Sequence, residues 1–451
     1  MTPRDLPRWS QINQIEASPH APGTAYIAAV RYKLGDLRPY AYVTHDFGRN
    51  WKRIVNGFPD DGFVRVVRED PMRKGLLYAG TETGAWVSFN DGGAWQKLQR
   101  NLPVVPVTDI AVKDDDLVIS TQGRAFWVMD DITPLRTIAA GTPSGAVYLF
   151  TPRTAVRMAG GGGPRSDAGR NPSSGVLVRY QLAKARPDSV KVSLEFLGAN
   201  GTVLRRYDRK GEVATDTTRK DEPQTGPKVT AKAGVNSFVW DLRAADASRF
   251  EGLINWGGGL EGPLVVPGRY TVRLKIGTET YAKDFMVSKD PRLTTTDAEF
   301  AEQYALLLKI RDKLTQTHDA TLDIRDVREQ LDAVVARAKR AGKLGALEDS
   351  ARTFKKRLTA IEETLYQTKS KSGQDPLNFP IRLNNKLAIL GSTVSSADAK
   401  PTAASYTVYD DLVARIDAQL GKLRGEMGQG MERFNRMVAD QQVPAVVPKR
   451  R

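Results

Sequence analysis

Cysteine is absent from the 451 residues, and histidine occurs only as His20, His45 and His318. The lack of cysteine excludes disulfide bonds, thiolate catalysis and thiolate zinc sites. The three histidines show no spacing typical of a metal site, and no Gly-x-Ser-x-Gly turn accompanies them. We therefore expect no metal and no cofactor, and we disfavour serine hydrolases and metalloenzymes.

Long apolar stretches are also missing. No window of about 18 apolar residues occurs, so we expect no membrane span. The first ten residues, MTPRDLPRWS, lack the apolar core of a signal peptide.

Dense runs of like charge are absent too. The net charge of +15 invites a nucleic-acid partner, but the 67 Lys and Arg residues are scattered among 52 Asp and Glu residues. The only tight basic group, Lys449–Arg451, is typical of a solvated tail. We therefore expect no nucleic-acid partner.

A repeated turn organises the first third of the chain. Residues 76–98 contain three short strand-forming runs, and the last two flank the turn Ser88-x-Asn90-x-Gly92-x-Ala94-Trp95. The same spacing occurs 44 residues earlier, as Thr44-x-Asp46-x-Gly48-x-Asn50-Trp51. In each turn, a short polar side chain can bond backbone N–H groups, glycine can adopt positive φ and tryptophan can serve as an apolar plug. One such unit per 40 or so residues predicts radially repeated sheets.

A third, degenerate copy follows. Residues 117–130 match residues 77–90 at an offset of 40, with Phe126 aligned to Trp86. The copy lacks the glycine and tryptophan of the turn. The first copy carries eight extra residues, in the region of Lys33 to Pro39.

The two turns resemble the Asp-boxes, or BNR repeats, of sialidase-type β-propellers. The run from Trp9 to Asp131 is similar to the closing blades of bacterial sortilin-like, BNR-repeat proteins of the glycosyl hydrolase type. The resemblance implies a propeller fold, glycoside hydrolysis and a periplasmic or extracellular location. It also implies a longer protein, of which this chain is the C-terminal portion. Because closed propellers need about four to eight blades, three blades require missing blades or a partner chain.

The whole chain is predicted to be multidomain, with partial β-propeller blades (all-β), an Ig-like β-sandwich and an α-helical bundle. Alternating apolar runs predict the sandwich, and apolar stripes at heptad spacing predict the helices. The predicted boundaries are 1–153 for the blades, 154–174 for a Gly-rich linker, 175–290 for the sandwich, 291–441 for the helical bundle and 442–451 for a tail.

Candidate site residues come from the loops that sialidase-like blades would place on the binding face. Glycoside hydrolysis needs two carboxylates about 5 to 9.5 Å apart, or a tyrosine nucleophile with acidic support. Glu82 with Asp61 or Asp60 could supply the pair, and Arg65 and Arg124 would lie on the same rim. Each of these acids is equally compatible with an ordinary turn or hairpin residue. Trp256, in INWGGGLEGP, could stack on a sugar or simply pack.

Two functions stay open on this basis. The first is a glycosyl hydrolase acting on a polysaccharide or glycan. The second is a non-catalytic scaffold whose propeller binds a carbohydrate or a protein ligand while the helices drive assembly.

Overall fold

The computed structural model describes residues 1–141, 145–158, 174–211 and 227–445. Most of the predicted Gly-rich linker and the end of the predicted tail lie outside the described residues. The chain forms two compact units, Met1–Arg153 and Thr154–Arg451. In the described parts of the chain, no helix is long and apolar enough to cross a bilayer.

The first unit contains three antiparallel sheets whose strands follow one another in chain order. Sheet 1 consists of β1 (Gln11–Ala17), β2 (Ala25–Arg31), β3 (Asp36–Thr44) and β4 (Lys52–Arg53). Sheet 2 consists of β5 (Val64–Glu69), β6 (Leu77–Thr81), β7 (Gly84–Ser88) and β8 (Gln96–Lys97). Sheet 3 consists of β9 (Val107–Lys113), β10 (Asp116–Thr121) and β11 (Phe126–Met129). The unit ends with α1 (Thr133–Ala140) and β12 (Val147–Leu149).

The two tryptophan turns, residues 44–51 and 88–95, have the same internal hydrogen bonds. The backbone N–H of Asn50 donates to Asp46 Oδ1 (2.8 Å), and that of Ala94 donates to Asn90 Oδ1 (2.9 Å). Gly48 and Gly92 both adopt φ +79°, a conformation that suits glycine. The turn chemistry predicted from the spacing is therefore present in both copies.

Apolar cores join consecutive sheets. Sheet 1 packs on sheet 2 through one buried cluster, and sheet 2 packs on sheet 3 and α1 through another. Trp95 is buried in the first of these clusters, where its indole N–H donates to the carbonyl of Ile54 (2.8 Å) and its ring stacks on Phe58 at 4.8 Å. The sheets therefore stack face to face, in sequence order.

The strand pairing of sheet 3 corrects one alignment made from the sequence. In sheet 2, Trp86 pairs with Ala79. The residue of sheet 3 that corresponds to Ala79 is Ile119, and Ile119 pairs with Trp127. Phe126 pairs with Ser120 and therefore lies on the opposite face. The hairpin between β10 and β11 is one residue longer than its counterpart, which shifts the match by one position.

The second unit begins with two sheets. Strands β14 (Val176–Leu182) and β17 (Gly234–Trp240) are antiparallel. A five-stranded sheet has the order β13-β19-β18-β15-β16, in which β13 is parallel to β19 and the other pairs are antiparallel. Its strands are β13 (Ala155–Arg157), β15 (Val192–Leu197), β16 (Val203–Asp208), β18 (Gly268–Ile276) and β19 (Glu279–Lys289). Trp240 stacks on Phe196 at 4.4 Å and so joins the two sheets. An Ig-like topology for this region stays a prediction.

Five helices follow, after a capping box at Thr296 and Glu299. They are α2 (Asp297–Arg340), α3 (Leu347–Leu365), α4 (Leu383–Val394), α5 (Ala403–Gly425) and α6 (Met431–Asp440). A π-helical turn, Glu426–Gly430, joins α5 to α6. The apolar stripe Phe300, Leu307 and Leu314 and the later stripe Ile324, Leu331 and Ala338 both lie on the single helix α2.

An irregular segment, residues 243–262, lies across the helices; we call it the crossing segment. Its apolar side chains enter the helical core. The phenol of Tyr366 donates to the carbonyl of Gly252 (2.8 Å) and accepts from the N–H of Ile254 (3.0 Å). Trp256 exchanges two hydrogen bonds with the side-chain amide of Asn385. The crossing segment and the helices of this unit therefore share one packed core.

Candidate functional site

Three connections of the first unit meet at one place. The hairpin between β2 and β3 forms a short 3-10 turn, Tyr32–Leu34, that ends at Gly35 with φ +71°. The turn between β6 and β7 contains Glu82 and Thr83. The connection from sheet 1 into β5 brings in Phe63, whose carbonyl accepts the backbone N–H of Glu82 (3.3 Å).

An aromatic pair forms the base of this site. The rings of Tyr32 and Phe63 stack with centroids 5.0 Å apart and planes 15° apart. Phe63 is buried and Tyr32 is 38% exposed, so the outer ring is supported from beneath and open to solvent. The Arg65 guanidinium lies 5.0 Å from the Phe63 ring centre and 5.8 Å from that of Tyr32. Aromatic and cationic groups thus share one surface.

Arg65 also holds Glu82. Its Nε and Nη2 donate to the same oxygen, Glu82 Oε2, at 2.9 and 2.6 Å. The Glu82 side chain is 36% exposed, whereas that of Arg65 is 18% exposed. We name the four residues Tyr32, Phe63, Arg65 and Glu82 the rim cluster. Of the predicted site residues, the structure brings Arg65 and Glu82 together.

A second group of charges surrounds Asp36, at the start of β3. Its carboxylate accepts hydrogen bonds from Arg31, Arg38 and Tyr40. The Arg38 guanidinium, helped by the Tyr40 hydroxyl, holds the pKa of Asp36 well below its usual range. In return, the hydrogen bond to Asp36 raises the pKa of Arg38, and the charge of Asp60 adds to that shift.

Asp60 and Asp61 lie in an exposed turn closed by a hydrogen bond from the N–H of Gly62 to the carbonyl of Pro59 (3.1 Å). This is the ordinary turn that the sequence also allowed. Glu82 Oε2, by contrast, is bonded to two nitrogens of Arg65. A glycosidase pair of Glu82 with Asp61 or Asp60 stays a prediction.

The other two predicted residues lie elsewhere. Arg124 is exposed in the turn between β10 and β11, where its carbonyl accepts the indole N–H of Trp127 (2.9 Å). Trp256 belongs to the crossing segment of the second unit and is 42% exposed. Over the described ranges, no group of three His, Asp or Glu side chains is arranged to hold a metal.

Sequence reasoning missed Tyr32, Phe63 and Asp36. A usable signal existed for two of them, because Tyr32 and Asp36 flank or belong to the eight-residue insertion of the first repeat. An insertion that adds several charged residues beside an aromatic residue at a hairpin tip is a common place for a binding surface. Phe63 carried no such signal, since a single aromatic residue before a strand usually packs in a core.

Comparisons with known proteins add little at the level of family. No protein-family model matches this chain, and no curated protein does. Among solved structures, the chain is similar to YCF48 bound to a D1 peptide, at 15% identity and a TM-score of 0.21 over 27% of this chain and 37% of that chain. It is similar to YCF48 from Cyanidioschyzon merolae, at 12% identity and a TM-score of 0.21 over 40% of this chain and 52% of that one.

A third similar structure is the GH74 xyloglucanase from Xanthomonas campestris, at 14% identity and a TM-score of 0.21 over 60% of this chain and 38% of the enzyme. The matched part is thus between 37% and 52% of the length of these three structures.

Proposed function

We propose that the three sheets of the first unit are blades of a β-propeller and that the two tryptophan turns are Asp-boxes. The sequential strand order of each sheet, the face-to-face packing and the identical turn hydrogen bonds support this assignment. The resemblance to exported BNR-repeat proteins leads us to propose a periplasmic or extracellular location as well. Fractionation of cells that express the native gene, followed by immunodetection, tests the location.

We propose that this part of the protein binds a polysaccharide or glycan through the rim cluster. The observation that carries the proposal is the supported, solvent-facing Tyr32 ring beside the Arg65–Glu82 pair. A flat aromatic surface can stack on the apolar face of a sugar ring, while adjacent charged groups bond its hydroxyls. Arg65 fixes the orientation of Glu82, so the polar groups are positioned before a ligand arrives.

Binding to a panel of soluble polysaccharides, xyloglucan included, tests this role by titration calorimetry. We expect Tyr32→Ala to weaken binding about five- to tenfold, because a stacking contact contributes about 1 kcal/mol. Phe47→Ala is the control, since Phe47 is an aromatic residue that is even more open, 69% exposed, and lies at the Trp51 turn, away from the rim cluster. Equal losses in both variants, or no binding by the unaltered chain, would contradict the proposal.

Glycoside hydrolysis is the second candidate. Two observations favour it. Glu82 is partly exposed on the rim. Its backbone N–H donates to the carbonyl of Phe63, a residue that follows Asp61 by two positions in the sequence. Release of reducing ends from the bound polysaccharide tests it. We expect Glu82→Gln and Asp61→Asn to abolish release if they are the catalytic pair. Asp114→Asn, at an exposed turn residue, serves as control, and release unchanged in all three variants would eliminate the candidate.

A protein ligand is the remaining alternative for the same surface. A peptide segment rich in arginine or aromatic side chains could also pair with Glu82 and stack on Tyr32. The calorimetric panel separates the two, because a protein-specific surface gives no heat with any polysaccharide. Arg124 and Trp256 stay predicted ligand contacts, each to be tested by substitution with alanine in the same titration.

A further inference from the structure

The chain that leads into each sheet of the first unit follows one pattern. A large apolar residue and a proline precede the first strand, as Leu6-Pro7 before β1, Phe58-Pro59 before β5 and Leu102-Pro103 before β9. Phe58 packs in the core between sheets 1 and 2, and Leu102 packs in the core between sheets 2 and 3. Leu6 packs on the outer face of sheet 1, the face turned away from sheet 2.

Trp51 has the same relation to this outer face that Trp95 has to the core between sheets 1 and 2. The indole N–H of Trp95 donates to the carbonyl of Ile54, in the chain leading into sheet 2. That of Trp51 donates to the carbonyl of Met1 (2.5 Å), in the chain leading into sheet 1. The outer face of sheet 1 therefore carries two parts of a sheet-to-sheet interface, the connecting segment and the tryptophan.

The sheet that would complete this interface is not among the described residues. Leu6 and Trp51 cover Ile27, Ala29, Tyr40 and Tyr42 of this face. Ile15, which pairs with Ile27, is 67% exposed. Ile12, in register with Ala29, is 41% exposed. The four central residues are therefore closed off, and the apolar side chains left open on this face lie on β1.

Sheet 3 has an open face at the other end of the stack. In sheets 1 and 2, the cross-strand pairs Tyr26–Val43 and Tyr78–Val87 are buried against the next sheet. The corresponding pair in sheet 3 is Val118–Val128, and Val128 is 54% exposed. Phe126, on the same face, is 76% exposed. The open face of sheet 3 is therefore the face that, in sheets 1 and 2, packs on the next sheet along the chain.

We propose that the outer face of sheet 3 docks on the outer face of sheet 1 of a second copy of this chain. The two faces are opposite halves of an interface that the chain already forms twice within itself, so a second copy supplies both missing halves. Two such contacts related by a twofold axis close a ring of six sheets, within the range of about four to eight found in propellers. The inference rests on the assignment of the sheets as blades and is independent of glycan binding.

Cross-linking tests the contact directly, because the chain has no cysteine of its own. Ile15→Cys and Val128→Cys are prepared separately, mixed and treated with a short bis-maleimide. We expect a covalent dimer in the mixture and much less in either variant alone. Met72→Cys mixed with Val128→Cys is the control, since Met72 is 73% exposed in the turn between β5 and β6 and lies off both faces.

Sedimentation of the full chain tests the assembly. We expect a species of twice the chain mass that becomes monomeric in Phe126→Asp and in Val128→Asp. Both side chains are largely exposed within one chain, so the variants should keep the circular dichroism spectrum of the original. Met72→Asp should remain dimeric.

Three results would overturn the proposal: a monomer at all concentrations, a dimer that both face variants leave intact, or open-ended growth instead of a closed pair. Failure of glycan binding leaves these results unaffected, and Tyr32→Ala should sediment like the original chain.

Discussion

Trp95 and Trp51 give the sharpest test of the sheet arrangement. Both lie at the same position of the same turn, but Trp95 is almost fully buried at 4% exposure, whereas Trp51 is only half-buried. Trp95→Ala would remove the stacking on Phe58 and leave a cavity between sheets 1 and 2. Large-to-small substitution of a core aromatic residue costs about 3–5 kcal/mol. Trp51→Ala removes packing against the outer face of sheet 1 and the hydrogen bond to Met1, and about 1–2 kcal/mol should be lost.

Hydrogen–deuterium exchange with mass spectrometry suits this comparison, because it reports the opening free energy of the first unit separately from that of the second. Peptides covering β2, β3, β6 and β7 should lose protection in Trp95→Ala by the larger amount. Conversely, Trp51→Ala should affect mainly the peptides of β2 and β3. Equal losses in the two variants in dilute monomer would refute the claim that Trp95 lies in a completed interface and Trp51 in a half-completed one.

Two further predictions concern the second unit. His318 is fully buried in α2 and bonded through Nδ1 to the carbonyl of Ser248, and burial lowers its pKa below 6.5. Because the histidine becomes protonated when the protein unfolds, the folded state should lose stability as the pH falls below about 6.5. In thermal melts at pH 7.5 and 5, this loss of stability should be smaller in His318→Gln, whereas His20→Gln should leave it unchanged. Arg157 is buried and donates to Asp398 (2.6 Å), so Arg157→Met leaves a carboxylate without its partner and should cost about 3–5 kcal/mol by calorimetry. Arg352→Met is the control and should change little, because Arg352 and its partner Asp349 form an exposed ion pair.

Local chemistry was predictable from the sequence where it depends on spacing. The turns ending at Trp51 and Trp95 form as expected, because their hydrogen bonds join residues two to four positions apart. Register across a longer hairpin was not predictable, and Phe126 was therefore assigned to the face that Trp127 occupies. One extra residue in the turn exchanges the two faces of a strand, and composition alone does not reveal it.

The rim cluster was only half predictable. Arg65 and Glu82 were placed on one rim by the order of strands in a blade. Their ion pair depends on the exact twist and offset between β5 and β6, which the sequence pattern does not fix. Tyr32 meets Phe63 only because the tip of the first sheet reaches the entry to the second. Contacts between separate sheets join residues that are distant in the sequence, so no periodic pattern of residues reveals them.

The crossing segment sets how the second unit can be dissected. Phe250 and Leu260 leave the sheet region and end among helical side chains, and Gly258 approaches Ala388 so closely that a Cβ there would lie 2.6 Å from a backbone carbon. A chain that ends at residue 290 would keep every strand of the unit but would lack the helices on which this segment packs. Such a fragment should expose apolar surface, aggregate and lose fixed side-chain packing. The isolated helices should behave in the same way. Crystallisation trials and deletion genetics are therefore best planned with residues 154–445 kept whole.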